Sequence, residues 1–275
     1  MKIFVCNDCS PELVELQVAS FHKNMMEDYE FIMYVCDQNI SKTPEKAQEV
    51  ADICRRLGVE VREIPRDREI EEYWLSIAPG YHLFQPDGKF CRGVGGDTFN
   101  YMLQYLWQRV FSKEQGPICF CHSDVFLMEP IKLSDYLKGY SLVSVVTRNK
   151  GLTYLWEPLM ILNPQELPEM ETMKWWPSLV EGIWTDTGGP THFYLKAHPE
   201  IKIREIGQSG IEDDPNVDFH PARYAFFHLG DKRVFHYYSA SRWCTLMSYY
   251  WSYSKEQSDD YHARKLAWTR KFLCL

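Results

Sequence analysis

The sequence predicts an α/β fold: a mixed, mainly parallel sheet flanked by helices, followed by an irregular, aromatic-rich carboxyl-terminal lobe. Three observations carry this expectation. The opening third alternates apolar runs with stretches of helical periodicity in the order β-α-β-α-β. A fourth apolar run, Ile118 to Cys121, follows a strongly amphipathic stretch and a Gly116-Pro117 break. With 275 residues, 45% hydrophobic and 25% charged, the chain also has the length and composition to bury a large core.

The elements follow in order. Lys2 to Cys6 is an apolar run that stops at Asn7-Asp8, and Ser10-Pro11 supplies a helix N-cap and a first-turn proline. Leu13, Leu16, Phe21 and Met25 share one helical face, and Phe31 to Cys36 reads as a buried strand ending at Asp37. Ala47, Val50, Cys54 and Leu57 repeat at helical spacing, Gly58 marks the stop, and Val59 to Ile64 alternates as a third strand. After a less regular stretch from Arg66 to Gly96, Phe99, Met102, Leu103, Leu106 and Val110 mark one amphipathic helix, with Asp97 or Thr98 as its N-cap. The fourth strand then ends at His122-Ser123-Asp124. Leu142 to Val146 and Leu159 to Leu162 read as further strands, followed by a loop through Trp175, Trp176 and Trp184. Asp186-Thr187-Gly188-Gly189-Pro190 is a turn that feeds a helix over Thr191 to Ala197. No repeat, low-complexity tract or linker interrupts the chain, so a single domain over residues 1–275 is the economical reading.

Composition narrows the function. A formal charge of −8 argues against general nucleic-acid binding, which needs a concentrated excess of Lys and Arg, so any anionic ligand must be held locally. No apolar run approaches the roughly 20 residues that span a bilayer, and Met1 to Cys6 runs into polar Asn7-Asp8 without a signal-peptide core. A cytoplasmic setting is expected. Nine cysteines, an odd count scattered through apolar runs, read as reduced thiols. Cys6 and Cys9 form a C-x-x-C with no second pair to answer it for zinc.

Ligands of open parallel sheets bind outside the carboxyl ends of the strands, which directs attention to Asn7, Asp37 and Asp124. Asn7 and Asp37 suit hydrogen bonds to a base and ribose, or serve as loop caps. Asp124 is a carboxylate at a strand end, where a hard cation bridges it to a diphosphate; its alternative is a turn cap. In Asp186-Thr187-Gly188-Gly189, paired glycines permit close backbone approach, the following helix offers N–H groups, and the carboxylate can accept a proton or a sugar hydroxyl; the alternative is a plain turn. Arg92 to Asp97 resembles a phosphate loop only loosely, and Asp97 is a weaker contact candidate. His228 and His236 are late histidines that the sequence does not separate, and Lys232, Arg233 and Arg242 carry charges suited to pairing with an anionic group.

The segment His122-Ser123-Asp124-Val125-Phe126-Leu127-Met128-Glu129-Pro130 resembles the D-x-D region of GT-A glycosyltransferases, a Rossmann-like family, and the D-T-G-G turn is similar to turns in bacterial and viral sugar transferases of that type. The resemblance covers residue 1 to about Trp243. It implies a nucleotide-diphosphate sugar as donor, a divalent metal (manganese or magnesium) on Asp124 with one late histidine, and a glycan or lipid-linked glycan as acceptor. His122 stands where the first Asp would, and an imidazole favours softer cations or hydrogen-bonds the ribose. The resemblance further implies a nucleotide-sugar-binding half over 1–130 and an acceptor-side half with a helical tail over 131–275, with Ser123, Thr187, Gly188 and Gly189 near the donor. Asp186 is the candidate base if transfer inverts the anomeric centre.

Two rivals stand beside this reading. A sugar nucleotidyltransferase of related fold would carry a Gly-rich, basic signature after the first strand, which Asn7 to Pro11 lacks. A noncatalytic sugar- or partner-binding module would keep H-S-D only as a remnant. The carboxyl-terminal rings, among them Trp243, Tyr249, Trp251 and Trp268, alternate with Arg264, Lys265, Arg270 and Lys271. Such a tail suits peripheral contact with an anionic membrane, stacking on sugars, or packing over the core.

Overall fold

A computed structural model of the chain describes residues 1–41, 43–77, 97–210, 226–237 and 254–273. The opening alternation folds as β1 (Lys2–Cys6), α1 (Pro11–Asn24), β2 (Glu30–Cys36), α2 (Pro44–Arg56) and β3 (Glu60–Ile64). α3 (Arg68–Ile77) and α4 (Asp97–Tyr105) precede β4 (Ile118–His122) and β5 (Val125–Leu127). β6 (Leu142–Asn149) and β7 (Leu152–Leu162) form a hairpin, β8 (Leu179–Val180) and β9 (Ile183–Trp184) a second, and α5 (Thr191–Ala197) leads to β10 (Ile203–Glu205) and β11 (Gly207–Ser209). β12 (Phe226–Leu229), β13 (Lys232–His236) and α6 (Lys255–Leu273) close the described chain.

The main sheet has seven strands in the order β10-β6-β7-β4-β1-β2-β3. β1 pairs in parallel with both β2 and β4, while β7 runs antiparallel to its neighbours β4 and β6. The sheet is therefore mixed and mainly parallel, with helices on its faces. Because side chains alternate along each strand, its two faces collect separate cores. Phe4, Ile32, Phe120 and Met160 join Met102 and Leu103 of α4 and the indoles of Trp107, Trp175 and Trp176. Ile3, Val5, Met33, Cys119 and Ile161 face the other way, against Val14, Val18 and Phe21 of α1 and Val50 and Cys54 of α2.

Three expectations change. The stretch through Val110 is not one regular helix: α4 ends at Tyr105, a π-helical turn spans Leu106–Val110, and a 3-10 turn covers Phe111–Lys113. The widened turn buries both Trp107 and Phe111, and Trp107 Nε1 donates to the Met170 carbonyl at 2.6 Å. β7 begins at Leu152 rather than 159, folded back by the tight turn at Lys150 and Gly151, both with positive φ. Among the described residues the carboxyl-terminal lobe also carries regular structure. Residues 226–236 form a hairpin in a second, antiparallel sheet of order β11-β12-β13-β5. α6 packs on that sheet through Trp268, whose ring meets Phe235 at 5.2 Å, and through buried Leu273. Trp243, Tyr249 and Trp251 lie outside the described residues. Among those described, no helix is long and apolar enough to cross a membrane.

Candidate active site

β4 delivers His122 to the carboxyl edge of the sheet, level with Cys6 at the end of β1. The chain turns through Ser123, partly exposed, and Asp124, then re-enters as β5. Gln17, buried on α1, holds this turn from below: its amide donates to the carbonyls of His122 at 2.7 Å and Val125 at 3.1 Å. β13 pairs with β5 so that His236 lies opposite Val125, and the Tyr237 N–H donates to the Asp124 carbonyl at 2.8 Å. Two strand ends far apart in sequence thereby face each other across Asp124.

The side chains converge. His236 Nε2 lies 3.3 Å from Asp124 Oδ1, and His122 Nδ1 lies 3.9 Å from the same oxygen. One donor atom from each residue falls within 4.8 Å of the others. Asp124 is 5% exposed and His236 3%, while the His122 side chain keeps 21%. Phe227 stacks on His236 at 5.1 Å, and Phe99 of α4 places its ring against His122 at 4.4 Å. The aromatic walls restrict both imidazoles.

Burial pushes the His122 imidazole down to about 3, with the Asp124 carboxylate opposing and His236 adding to the fall. Its neutral form is the one that ligates metals. Two imidazoles and a carboxylate form a donor set suited to a divalent transition metal, whose ligands at about 2.1 Å stand roughly 3 Å apart when adjacent. The two imidazole–carboxylate separations, 3.3 and 3.9 Å, meet that spacing with a contraction of about 1 Å or less. Nearby, Lys265 of α6 is wholly buried with Nζ donating to the Tyr237 carbonyl; burial pushes its ammonium down to about 7, and Asp124 opposes that shift.

Glu157 was not singled out from the sequence. β7 shifts register against β6 between Ser144, paired with Met160, and Val145, paired with Trp156, so Glu157-Pro158-Leu159 form a bulge. Bulges re-aim side chains. Here Trp156 meets the His236 ring at 5.8 Å and Glu157 points at His122, with Oε1 3.7 Å from Nε2. Glu157 is 3% exposed, and burial, followed by the charge of Asp186, pushes its carboxyl well above the usual carboxylate range. The sequence signal was a lone acid ahead of proline inside an otherwise apolar run.

The D-T-G-G turn and α5 form where expected. Asp186 is exposed and accepts from the Thr187 N–H at 2.8 Å; Thr187 Oγ1 donates to Asn100 of α4 at 2.8 Å. The close approach allowed by the glycines is to the protein itself, to a β7 carbonyl at Gly188 and to the Thr185 side chain at Gly189. A Cβ on Gly188, at φ +84°, would sit 2.1 Å from the Leu155 carbonyl oxygen, and one on Gly189 would sit 1.7 Å from Thr185 Oγ1. The N–H groups opening α5, on Thr191, His192 and Phe193, donate to the carbonyls of Gly188, Gly189 and Pro190. The expectation that they stand open is thereby corrected.

The remaining candidates scatter. Asn7 lies at the same sheet edge, with its amide engaged in its own loop: Oδ1 accepts from Ser10 N at 2.9 Å and Nδ2 donates to Ser10 O at 3.0 Å. Asp37 Oδ1 likewise accepts from Asn39 N at 2.7 Å. Lys232 starts β13, about 13 Å along the strand from His236, and pairs with Glu129 at 3.5 Å. His228 on β12 meets Ser209 Oγ at 2.7 Å and is outside the cluster. Asp97 is described only as the first residue of α4, and Arg242 lies outside the described residues.

No protein-family model and no curated protein sequence matches the chain. Among solved structures, mouse xyloside xylosyltransferase 1 in its apo form aligns at 12% identity with a TM-score of 0.43, over 74% of this chain and 85% of that one. The galactosyltransferase LgtC, in complex with donor and acceptor sugar analogues, aligns at 13% identity and a TM-score of 0.43, over 74% of this chain and 73% of its own. The bifunctional glycosyltransferase WbbM, also apo, aligns at 9% identity and a TM-score of 0.40, over 74% of this chain and 38% of its own.

Proposed function

We propose that this chain is a glycosyltransferase that moves a sugar from a nucleotide-diphosphate donor to a hydroxyl acceptor, in the manner of the GT-A enzymes its sequence resembles. One observation carries the reading: His122 and Asp124, at the carboxyl edge of the parallel strands, are met by a buried histidine, His236, from the distant end of the chain. A plain turn cap at Asp124 would need neither imidazole.

In this reading His122, Asp124 and His236 hold a divalent cation, which when bound compensates the charge of the donor diphosphate. The nucleoside lies along the strand ends marked by Asn7 and Asp37. Gln17 fixes the β4–β5 turn, and Phe99 and Phe227 keep the imidazoles from turning away. During transfer the acceptor hydroxyl oxygen bonds to the anomeric carbon. The bond from that carbon to the diphosphate oxygen breaks, and its electron pair leaves with the nucleoside diphosphate. If the anomeric centre inverts, exposed Asp186 takes the hydroxyl proton. The acceptor is a glycan or lipid-linked glycan.

The test is a screen of nucleotide sugars with simple saccharide acceptors, measuring release of nucleoside diphosphate with Mn²⁺, with Mg²⁺ and after chelation. We expect release with one class of donor, greater with Mn²⁺ than with Mg²⁺ because two of the three ligands are imidazoles. Asp124→Ala should lose at least a hundredfold while remaining folded. Full activity in that variant would sink the reading.

A further inference from the structure

We propose that Glu157 is a positioning residue for His122: it accepts the Nε2–H of the imidazole and so fixes the tautomer that presents Nδ1 to a cation held with Asp124 and His236. The inference rests on the reading that this cluster binds a divalent cation.

A neutral imidazole carries one N–H, and only its other nitrogen can ligate a metal. His122 is oriented with Nδ1 toward Asp124, at 3.9 Å, and Nε2 toward Glu157, at 3.7 Å. Neither His122 Nε2 nor Glu157 Oε2 makes a hydrogen bond among the described residues. Closing the 3.7 Å gap by less than about 1 Å forms one of ordinary length. The ring has little freedom to reverse, because Phe99 packs against it at 4.4 Å.

A carboxyl group buried to this depth carries a desolvation cost that an apolar residue in the same strand would avoid. The backbone is shaped to accommodate it, since the register shift in β7 falls at Glu157 and aims its side chain at the imidazole. An oxygen acceptor on the far nitrogen of a ligating histidine holds the tautomer that leaves the other nitrogen for the metal, and losing such a partner weakens metal binding about 10- to 100-fold.

The test measures Mn²⁺ affinity of the full chain by calorimetry, without donor or acceptor, in wild type, Glu157→Leu, Glu157→Gln, His122→Ala and the double variant His122→Ala/Glu157→Leu. Leucine removes the acceptor while keeping the volume apolar; if it fails to fold, Glu157→Ala replaces it. Glu157→Leu should weaken binding about 10- to 100-fold, whereas glutamine, whose amide oxygen still accepts the N–H, should lose less than tenfold. In the His122→Ala background the leucine should cost nothing further. Wild-type affinity in a folded Glu157→Leu, a glutamine variant as weak as the leucine one, or an undiminished loss in the double variant would each overturn the proposal. Wild-type protein that binds no Mn²⁺ would overturn the cation reading and, with it, this inference.

Discussion

Replacing Gly188 by alanine adds one methyl group to the turn that carries Asp186, and the structure sets the size of the effect. Gly188 sits at φ +84°, which costs an L-residue about 1–2 kcal/mol. The new Cβ would stand 2.1 Å from the Leu155 carbonyl oxygen in β7, so the turn or the strand must move by about an ångström. Overpacking of that kind costs about 1–3 kcal/mol. The reduced freedom of the unfolded chain returns about 0.4–1 kcal/mol. The net, about 1–5 kcal/mol, corresponds to a fall in Tm of about 2–8 °C for a chain of 275 residues. Gly182 is the control, because its φ is +80° but a Cβ there meets nothing within 4 Å. Gly182→Ala should cost only the backbone part, about 1 kcal/mol, or less than about 3 °C. Differential scanning calorimetry of both variants separates the two contributions, and equal shifts would refute the claim that Gly188 serves close packing on β7.

Two further outcomes follow from the site. Gln17→Leu removes the donor shared by the His122 and Val125 carbonyls, and should lower stability in urea unfolding by about 1–3 kcal/mol. A loss below about 0.5 kcal/mol would mean that the turn is held by other groups. In chelated protein, His122 takes up its proton near pH 6.5 when unfolded but only near about 3 when folded. Its folded value is depressed, so the unfolded state binds more protons between those values. Stability should therefore fall on acidification through that window, by up to about 1.4 kcal/mol per pH unit from this group. Urea unfolding at pH 7, 6 and 5 should show a shallower slope in His122→Asn than in wild type, and parallel slopes would count against the burial argument.

Much of the fold was legible because its signals are local. β1 through β3 follow from apolar periodicity, Pro11 and Gly58 punctuate them, and the D-T-G-G turn announces α5. Asp124 could be placed at a strand end for the same reason. The break of the helix after Tyr105 was not legible, since the pattern at Leu106 and Val110 suits a regular helix, and the contact that accompanies the wider turn, Trp107 Nε1 on the Met170 carbonyl, joins residues far apart in sequence.

The partners of Asp124 are a different matter. Sequence alone left His228 and His236 equivalent and placed Lys232 beside them. The pairing of β13 with β5 set His236 across from Val125, sent Lys232 to the far end of the strand and left His228 on Ser209. Glu157 looked like an isolated acid in an apolar run until the register shift in β7 turned it onto His122. By itself the sequence determined the order of elements and the edge of the sheet where chemistry is expected, because strand and helix periodicities are properties of neighbouring residues. The tertiary structure alone decided which side chains meet there. Contacts between distant strands depend on register, and a slip of one residue turns each side chain to the opposite face.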